Sequence, residues 1–379
     1  MKIRKVAILG PSKRFLSGVS YYTIRLSNAL SAYVHVRTIL FRNMLPKRLF
    51  PGWKRVGENL TYLEFDKRVE VHEILDWNNP STWLKAFNLM KDCDAVILEW
   101  WTSSVAHMYL SVELLNGIFA EIPTVIEFHE VIDPLESSIL PIRIYSRVVG
   151  KVIRKLADHY VVHSEMGKKL IGRVYGISLD KISVIPHGLY DHYKRVEGAK
   201  EKLGIKENFV ILFFGLLRPY KGVKYLVKAF ESLPKEVLED SRLLIVGETW
   251  EDRETTKLIA NSKYRNKITV VNRYVPDNEV SLYFSASDVV VLPYTRASQS
   301  GVAHIAMAFG LPVISTYVGG LRESLSKYKG TIFVKPMNAD ELAEAIVKAY
   351  RNGRKRFSPP KDLSWNEIAK RWIKLLNQL

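Results

Sequence analysis

Residues 209–230 read FVILFFGLLRPYKGVKYLVKAF. The first six are apolar and β-rich, and the run ends at Gly215. An unbroken apolar run is what a strand covered on both faces looks like, as in a parallel sheet. Past Gly222, Leu226, Ala229 and Phe230 recur at helical spacing. The stretch is a strand, a loop and a helix, and the unit repeats along the chain. Similar apolar runs lie at 6–9, 34–41, 95–98, 124–128, 160–162 and 182–185. A second set lies at 209–214, 243–246, 268–271, 289–292, 313–315 and 331–334. Helical periodicities fall between many of them: Tyr21, Ile24, Arg25 and Asn28 in the first set, Leu342, Ile346 and Ala349 in the second. Strands alternating with helices imply an α/β fold with parallel sheets, and two sets imply two Rossmann-like domains.

Length agrees: 379 residues at roughly 100–200 per domain suggests two domains. The first is expected over 1–188, ending at Pro186-His187-Gly188, and the second over 189–360, after a polar stretch at 189–208. A last helix is expected within 361–379. Its start is marked by Ser364 with Glu367 three residues on, and Ile368, Trp372 and Leu375 share one face. Apolar residues at 47% and charged residues at 25% exclude intrinsic disorder and a collagen-like chain. The one cysteine, Cys93, excludes an intramolecular disulfide and suggests an intracellular chain. No apolar run approaches the roughly 18–20 residues that span a bilayer. The start, MKIRKVAILG, is basic, but its apolar part is only 6–9, so it reads as a strand rather than a signal peptide. A cytoplasmic location, with the possibility of peripheral attachment to the membrane face, is expected.

The net charge is +17, with +7 over 1–190 and +10 over 191–379. Residues 1–57 carry twelve Lys/Arg and no acid. Such a surface suits an anionic membrane, a phosphate-bearing substrate or nucleic acid, or is simply a well-solvated Lys/Arg-rich face. Zinc-finger spacing, an RNP-like motif and a basic low-complexity tail are all missing, which argues against nucleic acid.

Four motifs carry chemistry. Ser17-Gly18-Val19-Ser20 sits between the first strand and a helix, where free backbone N–H groups can meet an anion; alone it is weak. Arg218 and Lys221, in Gly215-Leu216-Leu217-Arg218-Pro219-Tyr220-Lys221-Gly222, follow a strand's C-terminal end. Two surface cations mean little, but α/β folds bind ligands there, and a fork and a point charge can converge on one anion. Third, Ser298, Ser300 and Gly301 open an Ala-rich helix that carries His304 and ends at Gly310, a place that can hold a phosphate. Fourth, His129 in Ile126-Glu127-Phe128-His129-Glu130 ends another strand.

At this point the sequence resembles a known family, the retaining GT4-like glycosyltransferases of the GT-B fold. The resemblance covers nearly the whole chain. It is carried by Arg273-Tyr274-Val275-Pro276-Asp277, Ala286-Ser287-Asp288-Val289, Leu292-Pro293, Phe309-Gly310-Leu311-Pro312-Val313-Ile314 and Gly319-Gly320-Leu321-Arg322-Glu323, with Val184-Ile185-Pro186-His187-Gly188 similar to the family's domain-linking stretch and Val162-His163-Ser164-Glu165 similar to the strand before it. It implies two Rossmann-like domains with a deep interdomain cleft and a last helix crossing back to the N-terminal domain. It implies a sugar transfer from a nucleoside-diphosphate sugar to an acceptor hydroxyl, with retention, in glycan or polysaccharide synthesis. Lys221 and Arg218 would neutralise the donor diphosphate, with Gly18, Ser298, Ser300 and Gly301 contributing. Gly247, Arg273, Tyr274 and Val275 would meet the nucleotide, and His129 would lie near the transferred sugar. No cofactor and no metal are expected, in keeping with the lack of a clustered Asp/His set in the sequence. The acceptor, lipid-linked or another glycan, would bind the N-terminal domain, where Trp100 and Trp101 could stack on a sugar and Glu99 could orient a hydroxyl.

Two departures stand out. The family's arginine after the loop glycine is Leu216 here, and Arg218 would substitute. The family's two glutamates, eight residues apart, fall at Ala297 and Ile305. That leaves a catalytically weak or inactive GT-B nucleotide-binding protein at a membrane surface as an alternative. Another GT-B enzyme, such as a phosphorylase or epimerase, is a further one.

Overall fold

A computed structural model describes residues 2–15, 18–45, 56–58, 61–130 and 140–379. The chain divides into two compact units, one of 1–188 with 362–379 and the other of 189–361.

Unit 1 holds seven strands: β1 (Lys5–Pro11), β2 (His35–Asn43), β3 (Val69–Asp76), β4 (Ala95–Trp100), β5 (Thr124–Phe128), β6 (His159–Val162) and β7 (Ile182–Val184). Its helices are α1 (Gly18–Leu30), α2 (Pro80–Met90), α3 (Ala106–Phe119), α4 (Leu140–Leu156) and α5 (Glu165–Tyr175). Sheet order is β3-β2-β1-β4-β5-β6-β7, every pairing parallel. The central strands are apolar on both faces because both faces are covered. Leu98, Trp100, Ile126 and Phe128 point into one core with Tyr109, Val112 and Ile153. Ile97, Val125 and Val161, pointing the other way, pack with Tyr22 and Leu26.

That second layer is completed by the last helix of the chain, Trp365–Leu376, which packs against α1. Ser364 caps it by accepting from the Glu367 N–H. Trp365, Ile368, Trp372, Leu375 and Leu376 enter the core. At Gly188 an added Cβ would lie 2.5 Å from the Trp365 ring, so that position admits no side chain.

Unit 2 contains β8 (Phe209–Phe214), β9 (Ser241–Val246), β10 (Ile268–Val271), β11 (Val289–Leu292), β12 (Val313–Thr316) and β13 (Thr331–Val334). Order is β10-β9-β8-β11-β12-β13, again all parallel. Eight helices connect or flank them: α6 (Ala199–Lys202), α7 (Val223–Glu231), α8 (Lys235–Glu239), α9 (Arg253–Ala260), α10 (Asp277–Ala286), α11 (Gly301–Ala308), α12 (Gly319–Leu325) and α13 (Ala339–Arg351). The last helix of unit 1 is α14.

In each sheet the strand order reverses direction once, between β1 and β4 and between β8 and β11. Connections leave opposite faces there and open a crevice at the strands' C-terminal ends, where ligands bind in such folds. One strand escaped the sequence reading. β3, VEVHEILD, mixes apolar and charged residues, because it is an edge strand whose side chains from Glu70 to Ile74 are half-buried or exposed. Among the described residues no helix is long and apolar enough to cross a membrane.

Candidate active site

The unit 2 switch point is assembled from the ends of β8 and β11. β8 ends at Phe214, and the chain turns through Gly215 and a short 3₁₀ helix over Pro219–Lys221. Gly222 closes the turn at φ +65°, and a Cβ there would lie 2.0 Å from the Pro293 carbonyl oxygen. Only glycine allows this conformation and this approach. The turn is thus pressed against the end of β11, and Thr295 N–H donates to the Tyr220 carbonyl at 2.8 Å.

This places Lys221 over the Tyr294 ring, its Nζ 3.7 Å from the ring centre. Arg218 lies over the Trp250 ring at 4.8 Å. Trp250 is fixed by its indole N–H to Glu248 at 2.9 Å and its backbone N–H to the Leu217 carbonyl at 2.8 Å. Neither cation forms an ion pair with a described carboxylate, and Arg218 Nε is buried without a hydrogen-bond partner. Aromatic faces stabilise a cation without neutralising it. Both charges therefore stay available to an anion.

Of the other unit 2 candidates, Gly247 and Ser300 reach this point. Gly247 follows β9 at φ +144°, and a Cβ there would meet the Gly215 carbonyl oxygen at 2.0 Å, so the two loops run in backbone contact. Ser300 caps α11: its Oγ accepts from Ala303 N–H at 3.4 Å and lies 3.3 Å from the Tyr294 hydroxyl. Its hydroxyl is thus committed to the helix and to the ring beneath Lys221, and the side chain is buried. Gly301 is the first residue of α11, Ser298 is exposed in the preceding loop, and His304 is buried within the helix. Arg273 is paired with Glu279 at 3.1 Å at the surface beyond β10. Tyr274 is half-buried and Val275 buried beside it. Of the two positions where the family's glutamates would stand, Ala297 lies in the loop and Ile305 is buried on α11.

Unit 1 gathers a different chemistry. β5 carries Glu127 and, just past its end, His129 on the same side, and β6 is followed by His163. All three side chains are buried. His163 Nδ1 lies 3.0 Å from the Ile185 carbonyl, which only accepts, so Nδ1 carries the proton. His163 Nε2 is then an acceptor, 3.3 Å from His129 Nδ1, which donates to it. That leaves His129 Nε2 with its lone pair and no hydrogen-bond partner, 4.0 Å from Glu127 Oε2, which also has none. The Tyr22 hydroxyl donates to Glu127 Oε1, and the Tyr22 ring touches His129, His163, His187 and Trp365.

Burial governs protonation here. It pushes the Glu127 carboxyl up to about 8, against the opposing Tyr22 bond. Burial, with His163 adding, holds His129 well below the ordinary imidazole range, and burial brings His163 down to about 4. The cluster is charge-poor at neutral pH. Its three donor atoms lie within 4.8 Å of one another, and the two orphaned atoms among them make it a set that could hold a divalent cation. Sequence reading found no such set, because His163 comes from the next strand and only the β5–β6 pairing brings it across. The spacing of Glu127 and His129, two apart on one strand, was the available signal.

Two acceptor candidates need correction. Glu99 is wholly buried, and its Oε2 accepts from Thr23 Oγ1 at 2.5 Å. Burial, with Glu127 nearby, raises its carboxyl well above the usual range. It is not displayed to an acceptor. Trp100 lies in the core at 2% exposure, against Phe128. β4 is a central strand with helices on both sides, so neither of its faces is open. Trp101, past the strand end, is half-buried against Phe41. Gly18 is the exposed first residue of α1, and Ser17 lies outside the described residues.

Two parallel Rossmann-like units, one with a cationic loop at its switch point, define a protein of GT-B architecture. Comparison narrows this further. A family model described as "Glycosyl transferases group 1" matches residues 196–372, and one described as "Glycosyltransferase Family 4" matches 16–191. An uncharacterized glycosyltransferase of Methanocaldococcus jannaschii is 28% identical over 249 residues, 62% of each chain. A D-inositol 3-phosphate glycosyltransferase of Pseudarthrobacter chlorophenolicus is 31% identical over 183 residues, 46% of this chain and 43% of that one. The chain thus spans less than two thirds of the length of these relatives. Among solved structures, sucrose-phosphate synthase from Thermosynechococcus elongatus has a TM-score of 0.64 at 18% identity, covering 99% of this chain and 94% of that one. Anabaena HepE, in complex with UDP-glucose, has a TM-score of 0.64 at 17% identity, covering 99% and 97%. These likenesses establish the fold. The chain belongs to the GT4-like glycosyltransferase family.

Proposed function

We propose that the protein transfers a sugar from a nucleoside-diphosphate sugar to an acceptor hydroxyl, with retention of configuration. The observation that carries this is the pair Lys221 and Arg218, held on aromatic faces at the unit 2 switch point with no described carboxylate to neutralise them. Leaving diphosphate develops charge as the glycosidic bond breaks, and preorganised cations stabilise it more than they stabilise the bound donor. The amides at the start of α11 add to this. Nucleotide-sugar binding is further supported by HepE, which has been solved with UDP and with UDP-glucose.

With two cations on the diphosphate, no metal is required at that point. The leaving phosphate itself assists deprotonation of the acceptor, so no carboxylate nucleophile is needed at Ala297 or Ile305. In unit 1, His129, with its unprotonated Nε2, accepts a hydrogen bond from a sugar hydroxyl. The acceptor belongs to unit 1, and the acid-free first 57 residues, of which 1, 16–17 and 46–55 lie outside the described part, favour a lipid-linked phosphate at a membrane surface.

The test is release of nucleoside diphosphate from a panel of UDP-, GDP- and ADP-sugars, with and without a lipid-phosphate acceptor mimic. Release from one donor, stimulated by the mimic, is expected and names the base and sugar. Nucleotide binding by thermal shift with no release from any donor would instead favour the binding-only alternative.

A further inference from the structure

Helix α4 has the sequence LPIRIYSRVVGKVIRKL. It repeats a basic–apolar pair every four residues: Arg143-Ile144, Arg147-Val148, Lys151-Val152 and Lys155-Leu156. Four-residue spacing on a helix of 3.6 per turn makes two adjacent stripes, each about 18 Å long.

The apolar stripe is turned outward. Ile144, Val148, Val152 and Leu156 are 56, 61, 44 and 40% exposed. The inward face is satisfied separately. Ile153 lies in the core, with Val149 and Tyr145 packed against it. Among the helix's described cations, Arg154 is turned inward, stacked on Tyr175 at 3.8 Å. The outward apolar side chains therefore stand outside the core, and Lys151 and Lys155 stand exposed beside them. Helix α3, which packs on α4, adds Ile118 and Phe119 at its end, both 69% exposed.

The chemistry of this face selects its partner. An apolar stripe of this length in water is a binding surface or an aggregation hazard. The 17 residues of the helix include five Lys/Arg and no acid. A second copy of the chain, docking the same face about a two-fold axis, would set lysine against lysine. Nucleic acid would use the cations and leave the stripe wet. A surface that is apolar at depth and anionic at its rim satisfies both stripes, and that is an anionic phospholipid bilayer.

We propose that α4 lies in the headgroup plane of an anionic membrane, with Ile144, Val148, Val152 and Leu156 inserted and Lys151 and Lys155 on the phosphates. The proposal rests on the membrane part of the proposed function but not on the sugar donor. It assigns the contact to α4 rather than to the acid-free first 57 residues.

The test is co-sedimentation with vesicles of phosphatidylcholine mixed with phosphatidylglycerol, against phosphatidylcholine alone. The full chain should bind the mixed vesicles, and added salt should weaken binding. Lys151→Glu/Lys155→Glu should weaken it about 30-fold or more, at roughly fivefold per removed lysine. Val148→Glu/Val152→Glu should weaken it about tenfold or more. Both pairs are exposed, so thermal melting and donor cleavage with a soluble acceptor mimic should be unchanged. Lys2→Glu/Arg4→Glu, exposed at the chain start, should bind as the parent does. No binding to mixed vesicles, or binding lost in Lys2→Glu/Arg4→Glu but kept in the α4 variants, would overturn the proposal. So would a dimer in sedimentation equilibrium that Val148→Glu/Val152→Glu dissociates. Failure of donor cleavage in every variant and the parent, with vesicle binding intact, would strike the sugar-transfer reading alone.

Discussion

At the switch point of unit 2, Lys221 and Arg218 rest on the rings of Tyr294 and Trp250, half-buried and without a described carboxylate partner. At the corresponding strand ends of unit 1, Glu99, Glu127, His129 and His163 are buried, and burial moves each towards its neutral form. The two units share a sheet architecture and store titratable groups in opposite ways. An aromatic face lets a cation keep its charge while partly desolvated. Burial makes an acid or imidazole give its charge up. In the proposed function the first arrangement meets a charged ligand, and the second exchanges protons or hydrogen bonds with a neutral one.

The largest expected effect tests whether the units are energetically separate. Trp372 is fully buried in unit 1, so Trp372→Ala should cost about 3–5 kcal/mol there. Urea unfolding should lose its unit 1 transition first, while nucleotide binding by unit 2 persists. A single transition shifted as a whole would break the comparison. Next, Lys221→Ala should lower turnover by about 10²–10³, or about 2.7–4 kcal/mol in the transition state, with an unchanged melting curve. Full activity in that variant would remove the diphosphate role from Lys221.

The protonation contrast has a sign that can be checked. Glu127 titrates near 8 in the fold and near 4.3 when unfolded. Between those values the folded state holds the extra proton, so stability falls as pH rises, by up to about 1.4 kcal/mol per pH unit. His163 runs the other way. Its folded value of about 4 lies below the unfolded 6.5, so between them stability rises with pH. Above about 6.5 the Glu127 contribution acts without that opposition. Glu127→Gln should therefore flatten the loss of stability between about pH 6.5 and 8, with a remainder from Glu99. Thermal melts of parent and variant across that range decide it, and parallel curves would place the proton elsewhere. The smallest expected effect is none: EDTA should leave donor cleavage unchanged, because in the proposed reaction Lys221 and Arg218 neutralise the diphosphate. Loss of cleavage on EDTA, restored by a divalent ion, would instead direct attention to Glu127, His129 and His163.

Much of the fold was legible because buried parallel strands are unbroken apolar runs. Those at 124–128, 209–214, 268–271, 289–292 and 331–334 coincide with β5, β8, β10, β11 and β13. β3 was not, because an edge strand interrupts its apolar residues with Glu70, His72 and Glu73, all of them half-buried or exposed. At the site, Arg218 and Lys221 could be read because everything that positions them, down to Gly222, is local in sequence. Tyr294, the ring under Lys221, could not, since strand pairing across the switch point brings it there. The same holds for His163 beside His129. Glu99 and Trp100 misled for a related reason. Alternation along a strand says which residues share a face, but on a strand sheathed in helices neither face reaches solvent.

The helix at 365–376 gives unit 1 a peculiar history. Its second core layer needs Trp365, Ile368 and Trp372, which are translated only after all of unit 2. On the ribosome, the nascent first 188 residues would wait with the α1 side of their sheet only partly covered while residues 189–361 emerge and condense. Residues 362–379 would then close the first-made unit, so a chain stalled before them presents apolar surface to the cell's quality-control machinery.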